Sequence, residues 1–210
     1  MSAPIDTAAA LTYFMTHDPR MADLLEQALS APDPVQVPTP KPASAYFESI
    51  VSAIIGQQIS TKAADAVRQR VITTLGEVTP QAVLDTDVDA LRAAGLSGQK
   101  VKYLKHNAAV WEALPYRTFP DLPDEAIVSE LIKLYGIGRW TAEMFLMFSM
   151  ARPDVFSYGD LGLMQGLYEQ YEYRAHYTRK IAATVESWRP HRTVASLTLW
   201  FHKDNGPVLL

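Results

Sequence analysis

Leu131-Ile132-Lys133-Leu134-Tyr135-Gly136-Ile137-Gly138-Arg139-Trp140-Thr141-Ala142 is the stretch on which the reading of the fold turns. Upstream of it, Asp124 to Lys133 has the spacing of an amphipathic helix, with Asp124 and Glu125 in the first turn, where a helix dipole favours acids. Downstream, Arg139 to Met150 predicts a second helix. Two glycines separated by one apolar residue join them. Glycine lets the backbone turn tightly and approach another molecule closely, while Ile137 pins the turn to the core. The amides and positive dipole end that open the second helix then make an anion site, and a DNA phosphate fits it without any base being read. A bare G-x-G more often marks a plain helix-helix corner; the longer string argues against that.

Working outward, the same helical period recurs. Tyr46, Phe47, Ile50, Val51, Ile54 and Ile55 line one face of a helix that Gly56 stops, and Ser60 caps another over Thr61 to Leu75. Further helices are predicted near Leu11 to Leu29, Asp87 to Ala94, Gln99 to Leu114, Leu161 to Gln170, His176 to Ser187 and Arg192 to His202. Ala31 to Pro42, with prolines at 32, 34, 38, 40 and 42, cannot be helical and reads as an extended loop between lobes. No segment alternates convincingly enough to predict a strand, so the expected class is all-α.

Composition narrows the function. The 210 residues, 48% hydrophobic and 20% charged, are those of a globular protein. With no cysteine, disulfides, Cys-ligated zinc and iron-sulfur clusters are excluded. The five histidines form no H-x-x-x-H pair, which argues against a metal-activated water. A net charge of -4 does not suit a general nucleic-acid coater, although two basic islands leave room for a local DNA footprint. One is Arg92, Lys100, Lys102 and Lys105; the other is Arg174, Arg179, Lys180, Arg189 and Arg192. No run approaches the roughly 20 apolar residues needed to span a bilayer, and the N-terminus reads as neither a secretion nor an import signal.

The string L-x-G-I-G-x-W-T-A, followed 20 residues after Trp140 by Asp160, resembles the helix-hairpin-helix (HhH-GPD) DNA glycosylase superfamily. Within it, the chain is similar to the 3-methyladenine DNA glycosylase II group. Gly56-Gln57-Gln58-Ile59-Ser60 with Lys62-Ala63-Ala64, Gly95-Leu96-Ser97 with Lys100, and Trp188-Arg189-Pro190-x-Arg192 running to Leu199-Trp200 extend the likeness over most of the chain.

The resemblance implies two helical lobes with an active-site cleft between them. Residues 1–42 would pack with a C-terminal lobe of residues 151–210, and residues 43–150 would form the central lobe, with the helix-hairpin-helix at about 124–150. It also implies the chemistry: a flipped alkylated purine (3-methyladenine, with 7-methylguanine and 1,N6-ethenoadenine as further candidates) is cut from its sugar. Asp160 would be the catalytic carboxylate, either stabilising the positive charge that builds on the sugar or orienting and deprotonating water. From its context alone, Asp160 reads as a helix N-cap. Trp140, Trp200, Met144 and Tyr158 would line the pocket, a cationic base stacking on tryptophan better than a neutral one; without the family both tryptophans read as core. Gln57 and Gln58 would fill the void left by the base, Gln58 standing at the intercalating position. Gly136, Gly138, Arg139, Thr141, Ser97 and Lys100 would bind phosphate.

Departures from the family pattern matter too. The broad-specificity bacterial form has a leucine at Gln58 and an aromatic at Met144, so this chain is nearer the smaller yeast-like members. Glycosylases that also nick the strand carry a lysine where Trp140 stands, so the abasic site is expected to stay uncut. No cofactor is expected; the carbonyls of Leu134 and Gly136 could hold a monovalent cation, as in relatives. The implied partner is damaged double-stranded DNA, with no membrane, no obligate protein partner and a monomeric state, in the nucleoid of a bacterium or the nucleus of a eukaryote. Two rivals remain: a non-catalytic DNA-binding module, and a glycosylase for another base such as uracil.

Overall fold

The structure, a computed structural model, describes residues 5–174 and 177–203. Among these the regular elements are all helical. The chain divides into two compact units, Met1–Pro40 with Leu146–Leu209, and Lys41–Phe145.

In the first unit, helices α1 (Thr7–His17) and α2 (Pro19–Ser30) pack on each other. One continuous helix over Leu11 to Leu29 is not what forms. Asp18 leaves the helical region and its Oδ1 accepts the amide of Met21 at 3.1 Å, while Pro19 takes the first helical position, where its missing N–H costs nothing. The remaining helices of this unit are α10 (Leu161–Gln170), α11 (Thr178–Ser187) and α12 (Arg192–Phe201), and α12 packs on both α10 and α2. The helix expected from His176 begins at Thr178; His176 itself lies outside the described residues. Phe14, Met21, Leu25, Leu163, Leu167 and Trp188 form the core.

The second unit contains α3 (Tyr46–Gly56), α4 (Thr61–Leu75), α5 (Pro80–Asp85), α6 (Val88–Ala93), α7 (Gly98–Val110), α8 (Asp124–Leu131) and most of α9 (Arg139–Phe148). Helix α7 is its centre, packing against α3, α5 and α6. It ends at Val110 instead of running on to Leu114, the chain tightening into a 3-10 turn at Trp111–Ala113. Phe47 meets Trp111 edge-on at 5.2 Å, and Trp111 stacks on Tyr116 at 5.0 Å. The short α5 was not expected, yet its start is legible in hindsight: Thr79 Oγ1 accepts the amide of Ala82 at 3.1 Å, and Pro80 follows the cap. No helix of the described residues is long and apolar enough to cross a membrane.

Candidate active site

Helix α12 holds the segment that carries Asp160 along its length. At its start, Arg192 binds Asp154 through Nε to Oδ1 (2.7 Å) and through Nη2 to Oδ2 (3.1 Å) and the backbone oxygen (2.7 Å). Thr193 Oγ1 accepts the amide of Val155 at 3.0 Å, and Ser196 Oγ donates to the Val155 oxygen at 3.1 Å. Two turns on, Trp200 Nε1 donates to Asp160 Oδ1 at 3.1 Å. The same oxygen accepts the amide of Leu163 at 2.7 Å, so Asp160 is the N-cap of α10.

Both donors meet at Oδ1 and orient a carboxylate that is 9% exposed. Beside it the surface is apolar, with Leu161 72% exposed and Tyr158 50% exposed. Burial raises the pKa of the Tyr158 phenol, keeping it neutral.

Glycines make this arrangement possible. A Cβ on Gly162 would stand 3.2 Å from Asp160 Oδ1 and 3.3 Å from Trp200 Nε1. One on Gly166, a turn later, would stand 3.1 Å from the Leu199 oxygen. Both absences let α10 and α12 approach closely enough for the indole to reach the carboxylate.

In the other unit, the turn between α8 and α9 is held by α7. Gly136 has φ 77°, and a Cβ there would fall 2.5 Å from the Tyr103 ring. Asn107 brackets Tyr135 by donating to its oxygen (3.0 Å) and accepting from its amide (2.8 Å). Ile137 is buried, and a Cβ on Gly138 would meet nothing within 4 Å. Gly138 thus leaves open space ahead of the first turn of α9.

The model of the HhH-GPD superfamily of base excision DNA repair proteins matches residues 51–191. This chain belongs to that superfamily. Over 166 residues the HhH-GPD chain is 34% identical to DNA-3-methyladenine glycosylase 1 of Schizosaccharomyces pombe, covering 73% of this chain and 71% of the relative. A DNA-3-methyladenine glycosidase from Bacillus halodurans superposes with a TM-score of 0.79 at 32% identity, over 95% of this chain and 93% of that one. The Schizosaccharomyces pombe 3-methyladenine DNA glycosylase in complex with abasic DNA gives 0.75 at 27% identity, over 91% and 95%.

Several residues of the HhH-GPD chain have surroundings and partners that the sequence did not suggest. Trp140 is 42% exposed at the start of α9, but Trp200 is buried, and its visible role is to donate to Asp160. Met144 and Thr141 are both buried. Lys100 Nζ is spent on the oxygens of Ile55 (2.7 Å) and Gln57 (2.8 Å), and burial lowers its pKa. Arg139 is gripped by Glu125 at 2.6 and 2.9 Å and by Glu143 at 2.9 Å, and its pKa is raised chiefly by Glu125. Its guanidinium links α8 to the first turn of α9 while the side chain stays 60% exposed. Ser97 is exposed and caps α7, accepting the Lys100 amide at 3.2 Å. Gln57 donates to the Gly136 oxygen at 2.7 Å and Ile137 donates to the Leu134 oxygen at 3.3 Å, so each carbonyl considered for a cation already accepts one bond. Among the described residues no group of three or more His, Asp or Glu side chains is placed to hold a metal.

Sequence reasoning did not find Tyr103 and Asn107. The signal was available: Lys100, Tyr103 and Asn107 stand three and four residues apart, on one face of a helix.

Proposed function

We propose that this protein is a monofunctional DNA glycosylase that hydrolyses the bond between deoxyribose and an alkylated purine, 3-methyladenine foremost. The observation that carries the reading is the carboxylate of Asp160, nearly buried and fixed at Oδ1 by two N–H donors, in a chain of this superfamily. Relatives named as 3-methyladenine glycosylases supply the substrate class.

A damaged base is extruded from the duplex, which costs a few kcal/mol. As the bond from the sugar carbon to the base nitrogen breaks, the electron pair leaves with the base, and positive charge develops on the sugar. A carboxylate held beforehand in a water-poor setting stabilises that charge, and an interaction of this kind is worth about a hundred- to a thousandfold in rate. Water then bonds to the sugar carbon and its proton passes to Asp160 or to solvent. A purine methylated at N3 or N7 is already cationic and departs neutral, so its release needs no strong general acid.

The exposed ring of Trp140 offers such a base a stacking partner. Because Trp140 stands where strand-nicking relatives have lysine, no amine attacks the sugar, and the abasic site is left intact. Gly136 and Gly138 anchor the backbone through amides. The enzyme works as a monomer on damaged duplex DNA wherever the genome lies.

Incubation with methylated duplex DNA tests this. Free 3-methyladenine should appear together with abasic sites that break only on alkali treatment. Binding without base release would replace the enzyme with a binding module, and breaks before alkali would refute the monofunctional reading.

A further inference from the structure

Gln58 has φ 61°, a left-handed conformation that residues other than glycine rarely adopt and that persists only where the surroundings over-determine it. It is exposed in the turn between α3 and α4. Its neighbours show what holds it. Lys100 Nζ gathers the oxygens of Ile55 and Gln57 at 2.7 and 2.8 Å, closing the end of α3. Ser60 Oγ accepts the Ala63 amide at 3.4 Å and starts α4. Between the two, the Gln57 side chain reaches across the unit and donates Nε2 to the oxygen of Gly136 at 2.7 Å.

Gly136 is itself fixed from α7, under the Tyr103 ring and next to the pair of hydrogen bonds between Asn107 and Tyr135. One face of α7, carrying Lys100, Tyr103 and Asn107, thus holds both the Gln58 turn and the glycine hairpin. Burial lowers the pKa of Lys100, an unfavourable place for an ammonium unless those carbonyls need it.

We infer that Gln57 and Lys100 are positioning residues that couple the hairpin to Gln58, so that seating a phosphate on the hairpin also fixes the side chain that enters the duplex. This deepens the proposed function and rests on it, taking Gln58 as the residue that fills the void and assigning Gln57 a different task. Gln57 turns its amide to the hairpin carbonyl; Gln58 is the one left projecting. A loose turn would still allow DNA to bind but would let the strand relax before the base is out.

The test uses the full chain, an alkylated duplex with 2-aminopurine beside the lesion, and an undamaged duplex. Gln57→Leu should lose about tenfold in single-turnover base release, the worth of one such hydrogen bond, and most of the 2-aminopurine fluorescence rise that reports unstacking. Its affinity for undamaged duplex should stay within about twofold of the wild type. Added to Gln58→Ala, Gln57→Leu should cost nothing more, because the residue it positions is gone. Should Gln57→Leu fail to fold, Lys100→Met is read in the same way, with Lys100→Arg restoring part of the signal. Wild-type release and fluorescence in Gln57→Leu, or losses that multiply with Gln58→Ala, would overturn the coupling. A wild-type protein that releases no base would instead strike at the proposed function, so the two failures are told apart.

Discussion

Trp200 donates its indole N–H to Asp160 Oδ1 at 3.1 Å, through a gap that exists because residue 162 is glycine. The bond joins the last turn of α12 to the first turn of α10, and under the proposed function Trp200 would act through the carboxylate. Trp200→Phe keeps a ring beside Phe148, now 5.9 Å away, and removes only the donor. Single-turnover base release should fall about 10- to 100-fold, the worth of a hydrogen bond to a carboxylate, while DNA affinity holds. A variant that weakens DNA binding and leaves release alone would mean that the indole serves the ligand directly.

The two glycines of the hairpin should behave differently. At Gly136 a methyl group meets both a positive φ and the Tyr103 ring, so Gly136→Ala should cost about 2–5 kcal/mol of stability. At Gly138 a methyl group meets nothing within the protein, so Gly138→Ala should melt within about 0.5 kcal/mol of the wild type. It should nevertheless bind duplex DNA less well, because the space it fills is where a phosphate would approach. Denaturant melts and a DNA titration read the two effects, and an equal loss of stability in both variants would contradict the contrast.

Asp18 joins the N-terminal helices to the C-terminal ones. Its Oδ2 accepts from Tyr171 (2.8 Å) and from Trp188 Nε1 (2.7 Å). Asp18→Ala leaves the buried Trp188 N–H and the half-buried Tyr171 hydroxyl without that acceptor, at about 1–3 kcal/mol each, and the melting temperature should fall by on the order of 10 °C. A drop of only a degree or two would show that the cluster contributes little.

The same cluster sets an alkaline limit. Burial, then the Asp18 charge, raises the pKa of Tyr171, so the folded protein holds this proton more tightly than the unfolded chain does. The stability it gives is whole below the ordinary tyrosine value of about 10 and drains as pH rises above it. Melts between pH 9 and about 11.5 should show the wild type losing stability more steeply than Tyr171→Phe. Parallel curves would remove Tyr171 from the account.

Much of this was legible in the sequence because local signals and tertiary structure agree. Gly136, Ile137 and Gly138 announce a tight turn between two helices, and Asp160 ahead of an apolar run announces a helix start. What stayed hidden depends on partners distant along the chain. Nothing local says that Lys100 will close the end of α3, that Gln57 will face the hairpin or that Arg139 will be clamped by Glu125. Each of these polar side chains reads as a contact for DNA and also has partners within the protein, which for the half-buried Lys100 and Gln57 is what burial requires. Trp200, placed near the pocket by the resemblance and in the core without it, is buried and offers its N–H to Asp160. The break at Asp18-Pro19 was local and readable, and a continuous apolar period obscured it.

The central claim is that a fixed carboxylate at position 160 breaks the bond between sugar and base. Asp160→Asn tests it most directly, since the amide retains an oxygen able to accept from Leu163 and Trp200 and so preserves the cap. With release of 3-methyladenine from methylated duplex measured under single-turnover conditions, the account predicts a loss of about a hundred- to a thousandfold with DNA affinity intact. Release at close to the wild-type rate would contradict it.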